Sequence, residues 1–278
     1  MNYRTYHDVK GDDRSHLGDQ VAGQRKRVAD RLASIGQVVA VLSGKGGVGK
    51  SYVSSLLAVA ASAEGRTVGV LDADLNSPTV GRLLNSGALE MTDVALLPAV
   101  GDLGVKVVSS DLILDEDAPL RWKLASSSEE FVWRGTLEVG MLREFLADVE
   151  WGALDLLIVD LPPGAEAAKD LMTLVPSVAV GFAVTIPTEE SRRSVARAIR
   201  VARDAGMPLG GIIENMSSYL GEDSDEPRPL FEGVAGDALA EEFDIPLLGR
   251  LPLRPDRAPR DVVDDCEDLL QQVFRVLA

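Results

Sequence analysis

The chain has 278 residues, enough for one large α/β domain with a substantial core or for two small domains. Its formal net charge of −16 argues against a general binder of nucleic acids or of anionic membranes. The single cysteine excludes a disulfide framework. Because there is also no signal-peptide pattern at the N-terminus and no apolar stretch long enough to span a bilayer, we expect a cytoplasmic protein.

The first 36 residues are predicted to precede the main domain as a leader and a helix. Residues 1–16 are polar and are typical of a loosely docked leader. Apolar residues then recur at helical spacing from Leu17 to Ile35, which predicts an amphipathic helix. Residues 37–278 contain neither an internal repeat nor a low-complexity linker, and they are predicted to form one domain.

Residues 38–51 carry the strongest motif of the chain. The aliphatic run Val38–Leu42 predicts a buried strand, which leads into a glycine loop of the form G-x-x-x-x-G-K-S and then into an alanine-rich helix. In such a phosphate-binding loop (P-loop), glycines let backbone N–H groups point toward phosphate oxygens, and the helix N-terminus adds its positive dipole. Lys50 would reach the β- and γ-phosphates, and the Ser51 hydroxyl would ligate Mg²⁺. The sequence therefore predicts a site for ATP and Mg²⁺ formed by Gly44, Lys45, Gly46, Gly47, Val48, Gly49, Lys50, Ser51 and Tyr52.

Two further predicted strands end in aspartates. The run Thr67–Leu71 is followed by Asp72 and Asp74, and residues 155–159 are followed by Asp160. Because the carboxyl ends of parallel strands lie at the same edge of a sheet as a P-loop, these carboxylates would lie where Mg²⁺ and the attacking water are held. Asp72 and Asp160 are therefore, with Ser51, the predicted metal ligands. Solvation of a strand end and helix capping remain the alternative for the first pair.

Strands and helices alternate along the rest of the chain. The predicted strands are 105–108, 178–186, 209–215 and 246–249, and the predicted helices are 75–84, 136–149, 188–205, 235–243 and a last one from about 260. This alternation predicts an α/β fold with a doubly wound, mostly parallel sheet around a P-loop NTPase core.

Together these motifs resemble the Mrp/ApbC family of P-loop ATPases, which are iron–sulfur cluster carriers. The extra lysine after the first glycine of the P-loop, Lys45, is similar to that of the deviant Walker A loops of the wider MinD/ParA/Mrp group. The resemblance covers about Gln37 to Val263 and includes further motifs at Leu71–Asp74 with Pro78, Val132–Gly135, Asp160–Gly164, Glu214–Ser217 and Leu248–Leu253.

The resemblance implies a dimer that holds two ATP molecules at its interface, with Lys45 reaching the nucleotide of the other subunit. It also implies that Asp74 positions or activates water and that Asp160 lies on the magnesium side. Asn215 would read the adenine edge, and the backbone near Pro252 and Arg254 would line the base pocket. The catalytic candidates are therefore Lys45, Lys50, Asp74 and Asp160.

The chain departs from this family at two places. After Pro162-Pro163-Gly164 the family continues Thr-Gly-Asp, whereas this chain has Ala165-Glu166-Ala167, so slow hydrolysis is expected. The loop after Met216 would carry a Cys-x-x-Cys pair in the family, but here residues 221–225 contain no cysteine. An iron–sulfur cluster on a homodimer is therefore doubtful, and a heterodimer with a cysteine-bearing paralogue is the alternative.

The predicted function is a dimeric, slowly hydrolysing Mg-ATPase that assembles iron–sulfur clusters or transfers them to client proteins. Two alternatives stay open. A MinD/ParA-like positioning ATPase would need a basic amphipathic C-terminal helix, but Asp261–Ala278 is acidic and its apolar residues are predicted to pack in the core. A nucleotide-gated binding protein with little turnover would fit the altered segment after Gly164.

Overall fold

The computed structural model describes residues 17–92, 96–112, 139–219 and 227–278. Three sequence predictions lie outside these residues: the leader at 1–16, the Trp133-Arg134-Gly135 motif, and the acidic segment 221–225.

Within the described residues, the strands form one large sheet and two small hairpins. The strands are β1 (Ile35–Leu42), β2 (Val68–Asp72), β3 (Glu90–Met91), β4 (Leu96–Leu97), β5 (Ala99–Val100), β6 (Lys106–Val108), β7 (Leu154–Asp160), β8 (Val180–Thr185), β9 (Leu209–Glu214), β10 (Ser218–Tyr219), β11 (Arg228–Pro229) and β12 (Leu247–Arg250). The large sheet has the order β12-β9-β8-β1-β7-β2-β6-β5, while β3 pairs with β4 and β10 with β11. All neighbours in the large sheet are parallel except β5 and β6.

Helices cover both faces of this sheet, which confirms the doubly wound α/β fold. The helices are α1 (Leu17–Leu32), α2 (Lys50–Ala63), α3 (Val80–Leu83), α4 (139–148), α5 (Glu166–Leu174), α6 (Glu189–Asp204), α7 (Ala235–Phe243) and α8 (Glu267–Leu277). Alternate residues of the central strands point to opposite faces, so each face has its own apolar core. One core contains residues of α1, α4, α5, α6 and α7, and the other contains residues of α2, α3 and α8.

The element boundaries differ from the sequence predictions in three places. Helix α1 ends at Leu32, and Ile35 already belongs to β1. The helix predicted at 75–84 shrinks to the single turn of α3, because the backbone before it folds around the Asp72 carboxylate. The last helix begins at Glu267 after two short 3-10 turns. The antiparallel edge strand β5 is absent from the sequence analysis because it has only two residues. Helix α5 is also absent from it. The division of the chain at residue 36 stays a prediction.

Helix α8 packs its apolar side against the sheet, as the sequence predicts. Its core residues are Leu269, Leu270, Val273, Phe274 and Leu277. A Cβ added at Gly249 of β12 would lie 2.9 Å from Leu269, so the helix lies directly on this strand. The apolar face of α8 is therefore already covered by the protein. In the described parts of the chain, no helix has both the length and the apolar content needed to cross a bilayer.

The packing of α8 can be tested with two valines on the same helix. Val273 is fully buried, whereas Val276 is 39% exposed. Val273→Ala should lower the free energy of unfolding by about 2 kcal/mol, because it removes buried apolar groups and leaves a cavity. Val276→Ala is the matched control and should change it by less than about 0.5 kcal/mol. Urea unfolding followed by circular dichroism measures both values, and equal values would contradict the docking of α8.

Candidate functional site

The P-loop connects the carboxyl end of β1 to the first residue of α2, and two of its glycines are required by their surroundings. Gly49 has a φ of 77°, in the left-handed region, and a Cβ there would lie 2.1 Å from Asn215 Nδ2. A Cβ at Gly44 would lie 2.0 Å from the carbonyl carbon of Ser194 on α6. The loop is therefore packed tightly between the ends of β9 and α6, and its backbone path is fixed from two sides.

The Lys50 ammonium lies at the bottom of this loop, beside a buried carboxylate. Lys50 Nζ is 2.8 Å from Asp160 Oδ1; the lysine side chain is 6% exposed and the aspartate is fully buried. The contact is ionic, and the ammonium has no aligned hydrogen bond to any described residue. Because burying a cation is costly unless its N–H donors are used, this arrangement indicates a site for an anion.

Asp160 also accepts hydrogen bonds from two hydroxyls of α2. Ser51 Oγ donates to Asp160 Oδ2 at 2.6 Å, and Ser54 Oγ donates to Asp160 Oδ1 at 2.6 Å. The structure thus brings together three of the predicted site residues, Lys50, Ser51 and Asp160. Ser54 is a member of the site that the sequence analysis missed. Its position one helical turn after Lys50 and Ser51 is the signal that could have identified it.

Asp72 lies next to Asp160 on the neighbouring strand, and its two oxygens are engaged by the protein. The register of β2 and β7 places Asp72 opposite Asp160. Burial, and next the Asp160 charge, raise the pKa of Asp72 to about 7. The carboxylate accepts four hydrogen bonds that shape the loop before α3, from Asp74 N, Thr79 N, Val80 N and Ser109 Oγ. Its observed contacts organise this loop, and its role as a metal ligand stays a prediction.

The loop that contains Asp74 and the turn that follows Asp160 come after the carboxyl ends of β2 and β7. Asp74 is 9% exposed, and its Oδ1 accepts a hydrogen bond from Ser77 N at 3.2 Å. The turn after Asp160 is attached to the start of the P-loop, because Gly164 N donates to Ser43 O at 3.0 Å. Movement of this turn would therefore directly displace the P-loop backbone.

Asn215 holds the P-loop from the end of β9. Its side chain is buried, and its Nδ2 donates to the carbonyl oxygen of Val48 at 2.9 Å. The preceding residue, Glu214, is also buried and accepts hydrogen bonds from Gly236 N at 2.6 Å and from Arg250 Nε at 3.0 Å. Asn215 is therefore fixed to α7 and β12 through its neighbour, and it fixes the P-loop in turn. Sequence reasoning gave Asn215 a role toward the base and missed this contact with the loop.

The other residues predicted on the base side lie around the loop that follows β12. Ser217 N donates to Leu251 O at 2.9 Å, which ties the segment after Asn215 to the segment containing Pro252. Arg254 pairs with Asp265 at 2.6 Å. Tyr52 of α2 donates its hydroxyl to Arg257 O at 3.4 Å, and burial raises its pKa to about 12. These contacts tie the segment after Asn215 and the start of α2 to the loop that follows β12; the base-side roles of Pro252 and Arg254 stay predictions.

Lys45 and Cys266 occupy very different environments. Lys45 is partly exposed at the start of the P-loop. Cys266, the only cysteine of the chain, is 9% exposed at the start of α8, where burial raises the pKa of its thiol to about 11. It is therefore a protonated core residue at neutral pH. Among the described residues, no cluster of three or more histidine, cysteine and acidic side chains is arranged to hold a metal.

The chain is similar to known proteins along most of its length. Residues 34–272 match the family described as NUBPL iron-transfer P-loop NTPase, ParA. The chain is 37% identical over 246 residues to an iron–sulfur cluster carrier protein of Saccharolobus solfataricus, which covers 87% of this chain and 79% of the relative. It is 32% identical to the cytosolic Fe-S cluster assembly factor CFD1 of Yarrowia lipolytica, over 87% of this chain and 82% of the relative.

A solved structure is similar in both sequence and fold. A nucleotide-binding protein from Archaeoglobus fulgidus, in complex with ADP, has a TM-score of 0.68 and 32% identity to this chain. The similarity covers 89% of this chain and 92% of that protein.

The contact between Asn215 and Val48 predicts that this side chain stabilises the P-loop. Asn215→Ala should lower the free energy of unfolding by about 1–3 kcal/mol, because the Val48 carbonyl loses its donor. Asn215→Asp keeps the shape but replaces the donor with a charged acceptor, and it should be the more destabilising of the two at pH 7. Urea titrations of both variants provide the measurement. A mild effect from the aspartate variant would show that the amide does not donate to the loop.

Proposed function

The chain belongs to the NUBPL iron-transfer P-loop NTPase family, and we propose that it binds Mg·ATP and hydrolyses it slowly during iron–sulfur cluster assembly or transfer. The observation that carries the nucleotide part is the buried Lys50 ammonium, which has one carboxylate beside it and unused donors. A triphosphate bound in the P-loop would supply the acceptors that this ammonium lacks. The similar Archaeoglobus fulgidus protein is in complex with ADP, which supports nucleotide binding by this chain.

The residues at the carboxyl ends of β2 and β7 fit magnesium chemistry. Mg²⁺ prefers oxygen ligands, and Ser51 Oγ and the Asp160 carboxylate lie together at the first turn of α2. In this proposal Ser51 ligates Mg²⁺, while Asp160 and, less directly, Asp72 hold its water ligands. Asp74 orients the attacking water. Turnover falls at or below the low end of the usual range of about 1–10³ s⁻¹, because Ala165-Glu166-Ala167 offers no hydroxyl near the phosphates.

In this proposal the base lies against Asn215 and the backbone near Pro252 and Arg254, and Tyr52 contributes to the same nucleotide site. The contacts of Ser217 with Leu251 and of Tyr52 with Arg257 support this placement, since they join three chain segments there. The Asn215 amide donates to Val48, and its oxygen would then be the atom that accepts from the adenine amino group.

We further propose that ATP binding brings two subunits together, with Lys45 of each reaching the nucleotide of the other. The partial exposure of Lys45 beside the P-loop supports this role. The partner is a second copy of this chain or a cysteine-bearing paralogue, and the clients are iron–sulfur proteins. A cytosolic location is proposed from the relative that is named a cytosolic assembly factor.

Substituting the two lysines of the P-loop should have different effects on nucleotide binding and dimerisation. Lys50→Ala should weaken Mg·ADP binding by about 100-fold or more, because the phosphates lose a charged donor. Lys45→Ala should bind Mg·ADP within about threefold of wild type but should not form a dimer with ATP. Isothermal titration calorimetry and light scattering measure the two effects. Lys169→Ala is the control, because that side chain is 64% exposed on α5.

Two results would contradict these assignments separately. Unchanged Mg·ADP affinity in Lys50→Ala would show that the nucleotide does not bind in the P-loop. If Lys45→Ala forms ATP-dependent dimers to the same extent as wild type, Lys45 does not reach the nucleotide of the other subunit.

The cluster part of the proposal predicts that the homodimer alone does not hold a stoichiometric 4Fe–4S cluster. Such a cluster normally needs about four thiolate ligands, whereas each chain has one cysteine, which is buried and protonated. Anaerobic reconstitution with iron and sulfide, followed by iron counting and visible spectroscopy, provides the test. Cys266→Ser is the control variant. A stable stoichiometric cluster on the wild type that survives this substitution would contradict the prediction.

A further inference from the structure

We propose that Ser54 is a positioning residue that holds the Asp160 carboxylate when Lys50 and Ser51 turn toward a bound nucleotide and Mg²⁺. This inference rests on the proposed function of the P-loop and deepens it. Three groups surround the Asp160 carboxylate in the structure: the Lys50 ammonium as an ionic partner, and the Ser51 and Ser54 hydroxyls as hydrogen-bond donors. Two of them are also the groups that nucleotide binding requires.

The three groups are distributed unequally over the two carboxylate oxygens. Oδ2 receives Ser51, while Oδ1 receives both Ser54 and Lys50, at 2.6 and 2.8 Å. In the proposed function Lys50 moves to the phosphates and Ser51 turns to Mg²⁺. Asp160 is fully buried; its Oδ2 would then face the water ligands of Mg²⁺, whereas its Oδ1 would lose the ammonium and would depend on Ser54 for a donor. The hydroxyl of Ser54 is the donor that has no second task.

The geometry of α2 suits Ser54 to this task. Ser54 is completely buried, one helical turn after Lys50, so its hydroxyl reaches Asp160 without a change of backbone. Its Oγ is also 3.2 Å from the carbonyl oxygen of Lys50. A hydroxyl has one proton to donate. The charged Oδ1 is closer and is the stronger acceptor, so it receives this proton. Ser54 therefore fixes one oxygen of Asp160 and leaves the other free to face Mg²⁺ and its water ligands.

The next residue of the helix provides a matched control. Ser55 is also fully buried in α2, but its Oγ has no hydrogen-bond partner among the described residues. Replacing either serine with alanine removes the same atom from the same helix, and both changes raise helix propensity. Only the change at residue 54 removes a donor from Asp160.

The experiment measures ADP affinity by calorimetry with and without Mg²⁺ in wild type, Ser54→Ala, Ser55→Ala and Ser54→Thr. Without Mg²⁺ the Ser51 hydroxyl stays on Asp160, so Ser54→Ala should weaken binding by less than about threefold. With Mg²⁺ both other donors leave, and Ser54→Ala should weaken binding by about tenfold or more. The gain in affinity caused by Mg²⁺ should therefore fall in Ser54→Ala. It should stay at the wild-type value in Ser55→Ala and in Ser54→Thr, which keeps the hydroxyl.

The outcomes separate this inference from the proposed function. A wild type that binds ADP with no gain from Mg²⁺, or that does not bind ADP, would overturn the proposed function itself. A normal gain in wild type and an equal gain in Ser54→Ala would overturn the role of Ser54 alone. The same would follow from an equal loss in Ser54→Ala and Ser55→Ala, since that loss would come from helix packing. Thermal unfolding of all four proteins confirms that the affinities are measured on folded chains.

Discussion

The buried carboxylate of Asp160 is the constraint on which the functional end of this sheet depends. It lies at the end of β7, between the P-loop strand β1 and the strand that ends in Asp72. A fully buried carboxylate is unfavourable unless donors surround it, and here the donors come from the first turns of α2. A single charge thus holds the start of α2 against the end of β7, and with it the P-loop that leads from β1 into α2.

The second buried carboxylate shows how the protein separates two like charges on adjacent strands. Asp72 accepts three backbone N–H groups and one hydroxyl, none of which belongs to α2. Among the described residues, the donors to the Asp160 carboxylate are side-chain hydroxyls, which are able to reorient. Burial and the nearby Asp160 charge raise the pKa of Asp72 to about 7. The two aspartates therefore differ in their partners. Asp72 shapes the loop before α3, whereas Asp160 contacts side chains that would move toward a bound nucleotide.

The P-loop and the one cysteine of this chain lie in different parts of the fold. The contacts that hold the P-loop come from α2, β7 and the end of β9, whereas Cys266 is buried at the start of α8. The proposed nucleotide site and any cluster site would therefore be physically separate. The nucleotide part depends on buried polar contacts within one chain, and the cluster part would depend on what a partner supplies.

The sequence by itself determined the fold class and the P-loop, because both depend on residues that are close together in the chain. Aliphatic runs followed by glycines or aspartates, alternating with helical periodicity, are enough to predict a parallel α/β sheet. The spacing from Gly44 to Ser51 is enough to predict a phosphate loop. The short elements α3 and β5 were poorly predicted or missed, since so few residues carry almost no periodicity, and helix α5 was also missed.

Only the tertiary structure decided how the site is held together. The bond from Asn215 to Val48 joins residues 167 positions apart, and the bond from Ser54 to Asp160 joins residues 106 apart. Both depend on the order of strands in the sheet, which places β7 directly beside β1 and β9 two strands from β1 on the other side. Alternation of strands and helices does not encode that order, because each new strand can be added at several positions. The same order places β6 beside β2, so that Ser109, which follows β6, donates to the Asp72 carboxylate.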